Sequence, residues 1–140
     1  MKMRVIVDEG CYKPIRAHKT DAGLDILSPV RVDIPPMDDA VIHTGVHVEL
    51  PPNTSGHIIS KSGLNVNHSV TSTGLIDEGF QGEIIVKLYN HDAYHNYTVL
   101  PGDKITQLVV LPTLYPELEF VDEFDVVTDR GSDGYGSTGR

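Results

Sequence analysis

Apolar and polar residues alternate along much of this chain, and the alternation predicts strands. The segments "MRVIV" (3–7), "VHVEL" (46–50), "HIIS" (57–60), "EIIVKLYN" (83–90), "ITQLVVL" (105–111) and "LEFVDEF" (118–124) are rich in Val, Ile, Tyr and Phe. Many place an apolar residue at every second position, the period of a half-buried strand. Turn formers punctuate them: "SP" at 28–29, "PP" at 35–36, "PPN" at 51–53 and "PGD" at 101–103. No helical period runs beyond about two turns. The best helix candidate is "SGLNVN" (62–67), where Ser62 can cap the first turn. Short strands at close spacing predict an all-β sandwich or jelly roll with at most one short helix.

The stretch 117–129 is acidic, with Glu117, Glu119, Asp122, Glu123, Asp125 and Asp129. It is expected to be a solvated edge strand whose charges block aggregation. After it comes "RGSDGYGSTGR" (130–140), which holds four glycines and almost nothing to bury. The expected organisation is one β domain over 1–129 and a flexible, glycine-rich arm over 130–140 that reaches a neighbouring subunit.

Length and charge narrow the function. With 140 residues the chain makes one domain with a real hydrophobic core. A formal net charge of −9 speaks against a nucleic-acid backbone or an anionic membrane as partner. A compact anionic ligand stays open, because local donors can outweigh the overall field. Cys11 is the single cysteine, which excludes an intrachain disulfide and a cysteine-based zinc cluster. The start, "MKMRVIVDEG", lacks an apolar run of signal-peptide length, and no segment approaches the ~18 apolar residues of a membrane span. The cytosol, or the cytoplasm of a host cell, is the expected location.

The tail carries the most particular chemistry. Glycines let successive N–H groups converge on an anion. Arg130 offers a planar fork for phosphate oxygens, and Ser137 and Thr138 add hydroxyl donors. Tyr135, between Gly134 and Gly136, can lie flat on a planar ring. These features fit a phosphorylated aromatic ligand, hence a nucleotide. It is not a P-loop, since neither Lys-Ser/Thr nor a helix follows the glycines.

Four further stretches supply candidates. In "STGLIDEGFQGEI" (72–84), Gly74 and Gly79 suggest a hairpin with Asp77 near its tip. A carboxylate held there beside a nucleotide can orient a water and accept its proton, with Phe80 shielding it or packing under a sugar. "SKSGLN" (60–65) sets Lys61, Ser62 and the Gly63 amide at a helix start, which collects phosphate. "AGLDI" (22–26) is a tight glycine turn followed by Asp25, and "PGDKITQLVV" (101–110) brings Gln107 onto an apolar face. The pairs His43/His47 and His91/His95 have metal-like four-residue spacing, but they fall in strand or loop contexts and are expected to be structural or solvent-facing.

Five motifs in order, "AGLDI", "SKSG", "GLIDEGFQGE", "GDKITQL" and "RGSDGYGSTG", closely resemble the trimeric dUTPase family (deoxyuridine triphosphate nucleotidohydrolases) across residues 22–139. The resemblance implies a β jelly roll, a homotrimer, and active sites each built from more than one subunit, with the C-terminal arm exchanged between them. It implies hydrolysis of dUTP to dUMP and pyrophosphate, with Mg2+ carried on the triphosphate. That reaction supplies dUMP for dTTP synthesis and keeps uracil out of DNA. Asp77 would orient the water that attacks the α-phosphate and bind the 3′-hydroxyl. Phe80 would pack under the sugar where a ribose 2′-hydroxyl would clash. Lys61, Ser62, Gly63 and Gln107 would hold phosphates, and Arg130, Ser137 and Thr138 would grip the terminal one. Tyr135 with Gly136 would cover the uracil, and Thr73, Gly74 and Ile76 would line the base and sugar in the 70–80 hairpin. Asp25 would help anchor the metal through water or steady the site.

Lys61 stands where the family usually has arginine, Phe80 where it has tyrosine, and Tyr135 where it has phenylalanine. Lys104 and Thr106 also depart from the frequent Arg and Ala. Two alternatives accompany this reading. One is a dCTP deaminase of the same fold, in which Glu83 would do the amine chemistry. The other is a dUTPase that also binds a regulatory protein, with the acidic stretch 117–129 as the surface.

Overall fold

Val, Ile and Leu at alternate positions put the described residues into ten strands and one short helix. The structure, a computed structural model, describes residues 1–136, 138 and 139. The elements are β1 (Arg4–Val7), β2 (Leu24–Leu27), β3 (Val32–Ile34), β4 (Asp39–Glu49), β5 (Thr54–Ile59), α1 (Ser62–His68), β6 (Val70–Thr71), β7 (Thr73–Ile76), β8 (Glu83–Asn90), β9 (Tyr97–Val99) and β10 (Lys104–Pro112). They form two four-stranded sheets, ordered β1-β4-β8-β6 and β2-β10-β5-β7, and a two-stranded sheet β3-β9. Every named strand pair is antiparallel. The architecture is an all-β jelly roll.

The two large sheets close on each other through their alternate residues. Ile42, Val46, Val48, Ile84, Val86 and Leu88 from one face meet Ile26, Ile58, Ile76, Ile105 and Leu108 from the other, with Ile34 and Val99 at the end of the sandwich. β8 shows the logic most plainly, since Ile84, Val86, Leu88 and Asn90 are buried while Ile85 points out. Among the described residues no helix is long and apolar enough to cross a membrane.

Three local expectations need correction. The stretch 118–124 forms no strand: regular structure ends at Pro112, and Leu118, Phe120 and Phe124 lie in solvent. Its alternating pattern pairs with no strand of its own chain. Ser62 does not cap α1. Lys61 occupies the cap position with extended backbone and makes no side-chain cap bond, while Ser62 is the first helical residue. The segment 70–80 is not a two-stranded hairpin. β7 pairs with β5, and the next strand, β8, pairs with β4 and β6 in the other sheet. The turn holding Asp77 is therefore a crossing between sheets.

A second crossing occurs at Ser72, between β6 in one sheet and β7 in the other. Its backbone N–H donates to the Ser60 hydroxyl, which donates back to the Ser72 carbonyl, both at 2.9 Å. The buried Ser72 hydroxyl also meets that of Thr106 at 2.7 Å. These bonds satisfy a bend that leaves both ladders, where unpaired polar groups would be costly.

Candidate active site

The register of the second sheet lines up one row of site candidates. Asp25 on β2 lies opposite Gln107 on β10, Gln107 opposite Ile59 on β5, and Ile59 opposite Thr73 on β7. Residues directly opposite in a ladder share a face, so this row stands on the side of the sheet away from the core. Lys61 and Ser62 follow β5 after Ser60, at the entry to α1.

Charge organises this end of the sheet. Asp25 is buried, yet both its oxygens are engaged: Lys61 holds Oδ1, and the Lys104 Nζ lies 2.9 Å from Oδ2. Burial pushes the Asp25 carboxyl up, but the hydrogen bonds and charges of Lys61 and Lys104 outweigh it and hold the group below the ordinary aspartate value. Two ammoniums on one carboxylate leave the cluster with a surplus positive charge. Gln107 donates from Nε2 to the Ser60 carbonyl at 3.1 Å. Its side chain packs directly on Gly23, where a β-carbon would collide with the amide. The glycine of "AGLDI" thus makes room for Gln107. Ser62 and Gly63 are exposed in the first turn of α1, with open space where a Gly63 side chain would stand. Their N–H groups belong to the turn that a helix leaves without internal partners.

Asp77 is elsewhere. Ile76 lies opposite Gly56, which sets Asp77 at the Ser55 end of β5, beside an open groove lined by Ser55, His57, Leu75, Thr113 and Tyr115. From Ser55 to Lys61 the chain rises roughly 20 Å at ~3.3 Å per residue. Within one chain, then, the candidate catalytic carboxylate and the phosphate candidates occupy opposite ends of a strand.

The turn that follows Asp77 is fastened on several sides. The Phe80 N–H donates to the Asp77 carbonyl at 3.2 Å, and Gly79 sits at φ +86°, a conformation that favours glycine. The Glu78 carboxylate accepts the Asn53 N–H at 2.9 Å and the Tyr115 hydroxyl at 2.6 Å. That bond to Glu78 holds the Tyr115 phenol above its ordinary value. The His47 Nδ1 reaches the Gln81 carbonyl at 3.0 Å. This bond, with Asp8 at the other ring nitrogen, raises the His47 value. The Phe80 ring is half exposed and folds back across Gly82.

Glu83 closes the turn on β4. Between His43 and His47 the β4–β8 register slips, and Gly45 takes φ +65° against Cys11. The Gly45 N–H freed by this bulge donates to Glu83 Oε1 at 2.8 Å, while His43 meets Oε2 at 2.8 Å. The His43 bond, then the Gly45 bond, holds the Glu83 carboxyl below its ordinary value. The second histidine pair is local too: His91 meets the Thr71 hydroxyl at 2.7 Å and His95 meets Asp92 at 3.1 Å. Among the described residues no group of three His, Cys, Asp or Glu side chains is arranged to hold a metal.

The tail candidates stand apart from both clusters. Arg130 donates from Nε to the Asp133 carbonyl at 3.0 Å, and Tyr135, Gly136 and Thr138 are exposed. Ser137 lies outside the described residues. Sequence reasoning noted Lys104 only as a departure from a pattern and missed Glu78 and Tyr115 entirely. The usable signal for Lys104 was its place at the start of the strand that carries Gln107.

The dUTPase family profile matches residues 12–139. The deoxyuridine 5'-triphosphate nucleotidohydrolase of Gloeothece citriformis is 40% identical, over 99% of this chain and 97% of its own length. The dUTPase of Staphylococcus bacteriophage 80alpha, solved with dUPNHPP and described as controlling transfer of virulence genes, superposes with a TM-score of 0.93. It is 31% identical, with 99% of each chain covered. A variant dUTPase from phage phi11 of S. aureus, described as coordinating a structural Mg(II) ion, has a TM-score of 0.82 and 31% identity, covering 90% of this chain and all of its own.

Proposed function

This chain belongs to the dUTPase family, and on that premise we propose how its residues divide the work of dUTP hydrolysis. The enzyme is a dUTP diphosphatase: water and dUTP give dUMP and pyrophosphate. Asp77 orients the water and takes one of its protons as the oxygen attacks the α-phosphorus. The Pα–O bond to the β-phosphate breaks, and pyrophosphate leaves with that electron pair. Lys61, Ser62, Gly63 and Gln107 hold the phosphates. The closing tail adds Arg130, Ser137 and Thr138 at the terminal phosphate, with Tyr135 and Gly136 over the base. Thr73, Gly74 and Ile76 border the uracil and sugar, and Phe80 lies under the sugar.

Magnesium belongs to the substrate in this reading, chelated by the triphosphate, because that ion keeps most of its waters and takes phosphate oxygens readily. Asp25 does not fit as a metal ligand, since both its oxygens face lysine ammoniums. It steadies Lys61 and Lys104 instead. Glu83, the acid a deaminase would use, already serves Gly45 and His43, which supports hydrolysis over deamination.

The observation that carries the division of labour is the distance along β5 between Asp77 and Lys61. Attack needs reacting atoms within about 3–3.5 Å, so one chain cannot supply both ends of a site. Each site then takes Asp77 from one copy and the phosphate clamp from another, and closed three-fold assembly with the tail crossing between copies satisfies all sites at once. The exposed Leu114, Leu118, Phe120 and Phe124 support a partner surface along the same path. The test is complementation. Asp77→Asn and Gln107→Ala chains, each inactive alone, are unfolded together and refolded as mixed oligomers. Random mixing in equal amounts should restore about a quarter of wild-type sites. If the mixture stays as inactive as its parents, the shared-site reading fails.

A further inference from the structure

The two glycines of the Asp77 turn are required for opposite reasons. Gly79 adopts φ +86° with nothing within 4 Å of a would-be β-carbon, so its demand is on the backbone. Gly82 is absent from the positive-φ positions, so its backbone accepts any residue. Its demand is for room. A β-carbon there would stand 2.5 Å from Phe80 Cζ, 2.8 Å from Cε2 and 3.3 Å from Cε1. The outer edge of the Phe80 ring rests on the bare α-carbon of Gly82.

We infer that Gly82 is a positioning residue for sugar discrimination, because it seats the Phe80 ring at the height that admits 2′-deoxyribose and rejects ribose. The inference rests on the proposed place of Phe80 under the sugar. A methyl group at 82 would press on the far end of a ring that is 46% exposed. The ring would give way at little cost to the fold, because few packed atoms oppose its movement. It would move toward or across the sugar, and a shift of about 1 Å is enough to spoil a fit that depends on shape. The discrimination at stake is one hydroxyl, which shape alone rejects by roughly 100-fold.

The experiment compares kcat/KM for dUTP and UTP in the wild type, Gly82→Ala, Gly79→Ala and Phe80→Ala, with a thermal melt of each. Gly82→Ala should lower the dUTP-to-UTP ratio by about tenfold or more. Its melting temperature should stay the same or rise slightly, since alanine restricts the unfolded chain. Gly79→Ala should show the reverse, a lower melting temperature with the ratio held, because it strains backbone and leaves the ring seated. A Gly82→Ala ratio equal to wild type, beside a lowered ratio in Phe80→Ala, overturns the role of Gly82 and leaves Phe80 under the sugar. An unchanged ratio in Phe80→Ala removes the reading of Phe80 itself and the inference with it. A Gly82→Ala chain that does not fold also overturns it, since the ring is required to yield.

Discussion

The Lys104 ammonium sits 2.9 Å from the Asp25 carboxylate, on the opposite oxygen from Lys61, so one buried acid spaces two cations at the phosphate end of the sheet. Asp25→Ala should release both lysines to repel one another. Losing charge-assisted bonds of this kind costs about 1–3 kcal/mol, and KM for dUTP should rise as the cations spread. The folded pKa of Asp25 is depressed, so its contribution is present above the ordinary value of 3.8 and fades as pH falls through the lower folded value. The stability gap between wild type and Asp25→Asn should therefore hold steady above pH ~3.8 and close as pH falls below it. A gap that stays unchanged as pH falls below ~3.8 would remove the acid from this role.

Asp77→Asn keeps the shape of the turn and removes the base. It should bind dUPNHPP nearly as the wild type does and turn over dUTP about 10²- to 10⁴-fold more slowly. The loss should fall on kcat rather than KM. Isothermal titration with the analogue and initial rates on dUTP separate these, and activity within a few-fold of wild type would exclude Asp77 as the base.

Removing residues 130–140 should leave a folded protein that barely hydrolyses dUTP. No strand includes the described residues of that segment and their side chains are exposed, so the melting temperature should hardly move. Tyr135→Ala alone should cost about 10- to 100-fold in kcat/KM, the scale of one lost stacking contact. Truncation should cost more, because Arg130 and Thr138 go with it. Near-normal turnover of the truncated chain would make the tail an ordinary loose end.

His47 gives the Asp77 turn a pH dependence. Its bond to the Gln81 carbonyl, then Asp8, with Glu83 nearby, raises the folded pKa above the ordinary 6.5. A raised value means that the anchoring is fully present below pH 6.5 and is lost as pH rises through the folded value. An NMR titration of the His47 ring should have its midpoint above 6.5, and wild-type stability should fall relative to His47→Asn as pH climbs through that midpoint. A midpoint at or below 6.5 would detach His47 from the turn.

Local pattern made some of this fold legible and could not reach the rest. The alternation of 83–90 coincides with β8, and "SGLNVN" with all but the last residue of α1. β2, β3, β7 and β9, of three or four residues each, are too short for a period to show. β4 was visible only in its second half, because His43, Thr44 and Gly45 build a bulge that interrupts the alternation. The turn around Gly79 was readable from its glycine, but not which strands flank it, since pairing partners are chosen by distant sequence. The segment 118–124 has a strand's pattern and joins no sheet within its own chain. At the site, the motifs gave the residue types. Only the folded side chains revealed that Lys104 belongs with Asp25, and only the register that Asp77 stands a strand's length away from Lys61.

With each site shared between copies as proposed, that separation makes activity a property of concentration. Dilution below the dissociation constant of the assembly should silence the enzyme while every chain remains folded, and specific activity should climb with protein concentration until assembly saturates. In that arrangement a chain defective at one end of β5 would disable one site, so activity would fall in proportion to such chains, whereas a chain defective at both ends would disable two sites and depress activity beyond its own number.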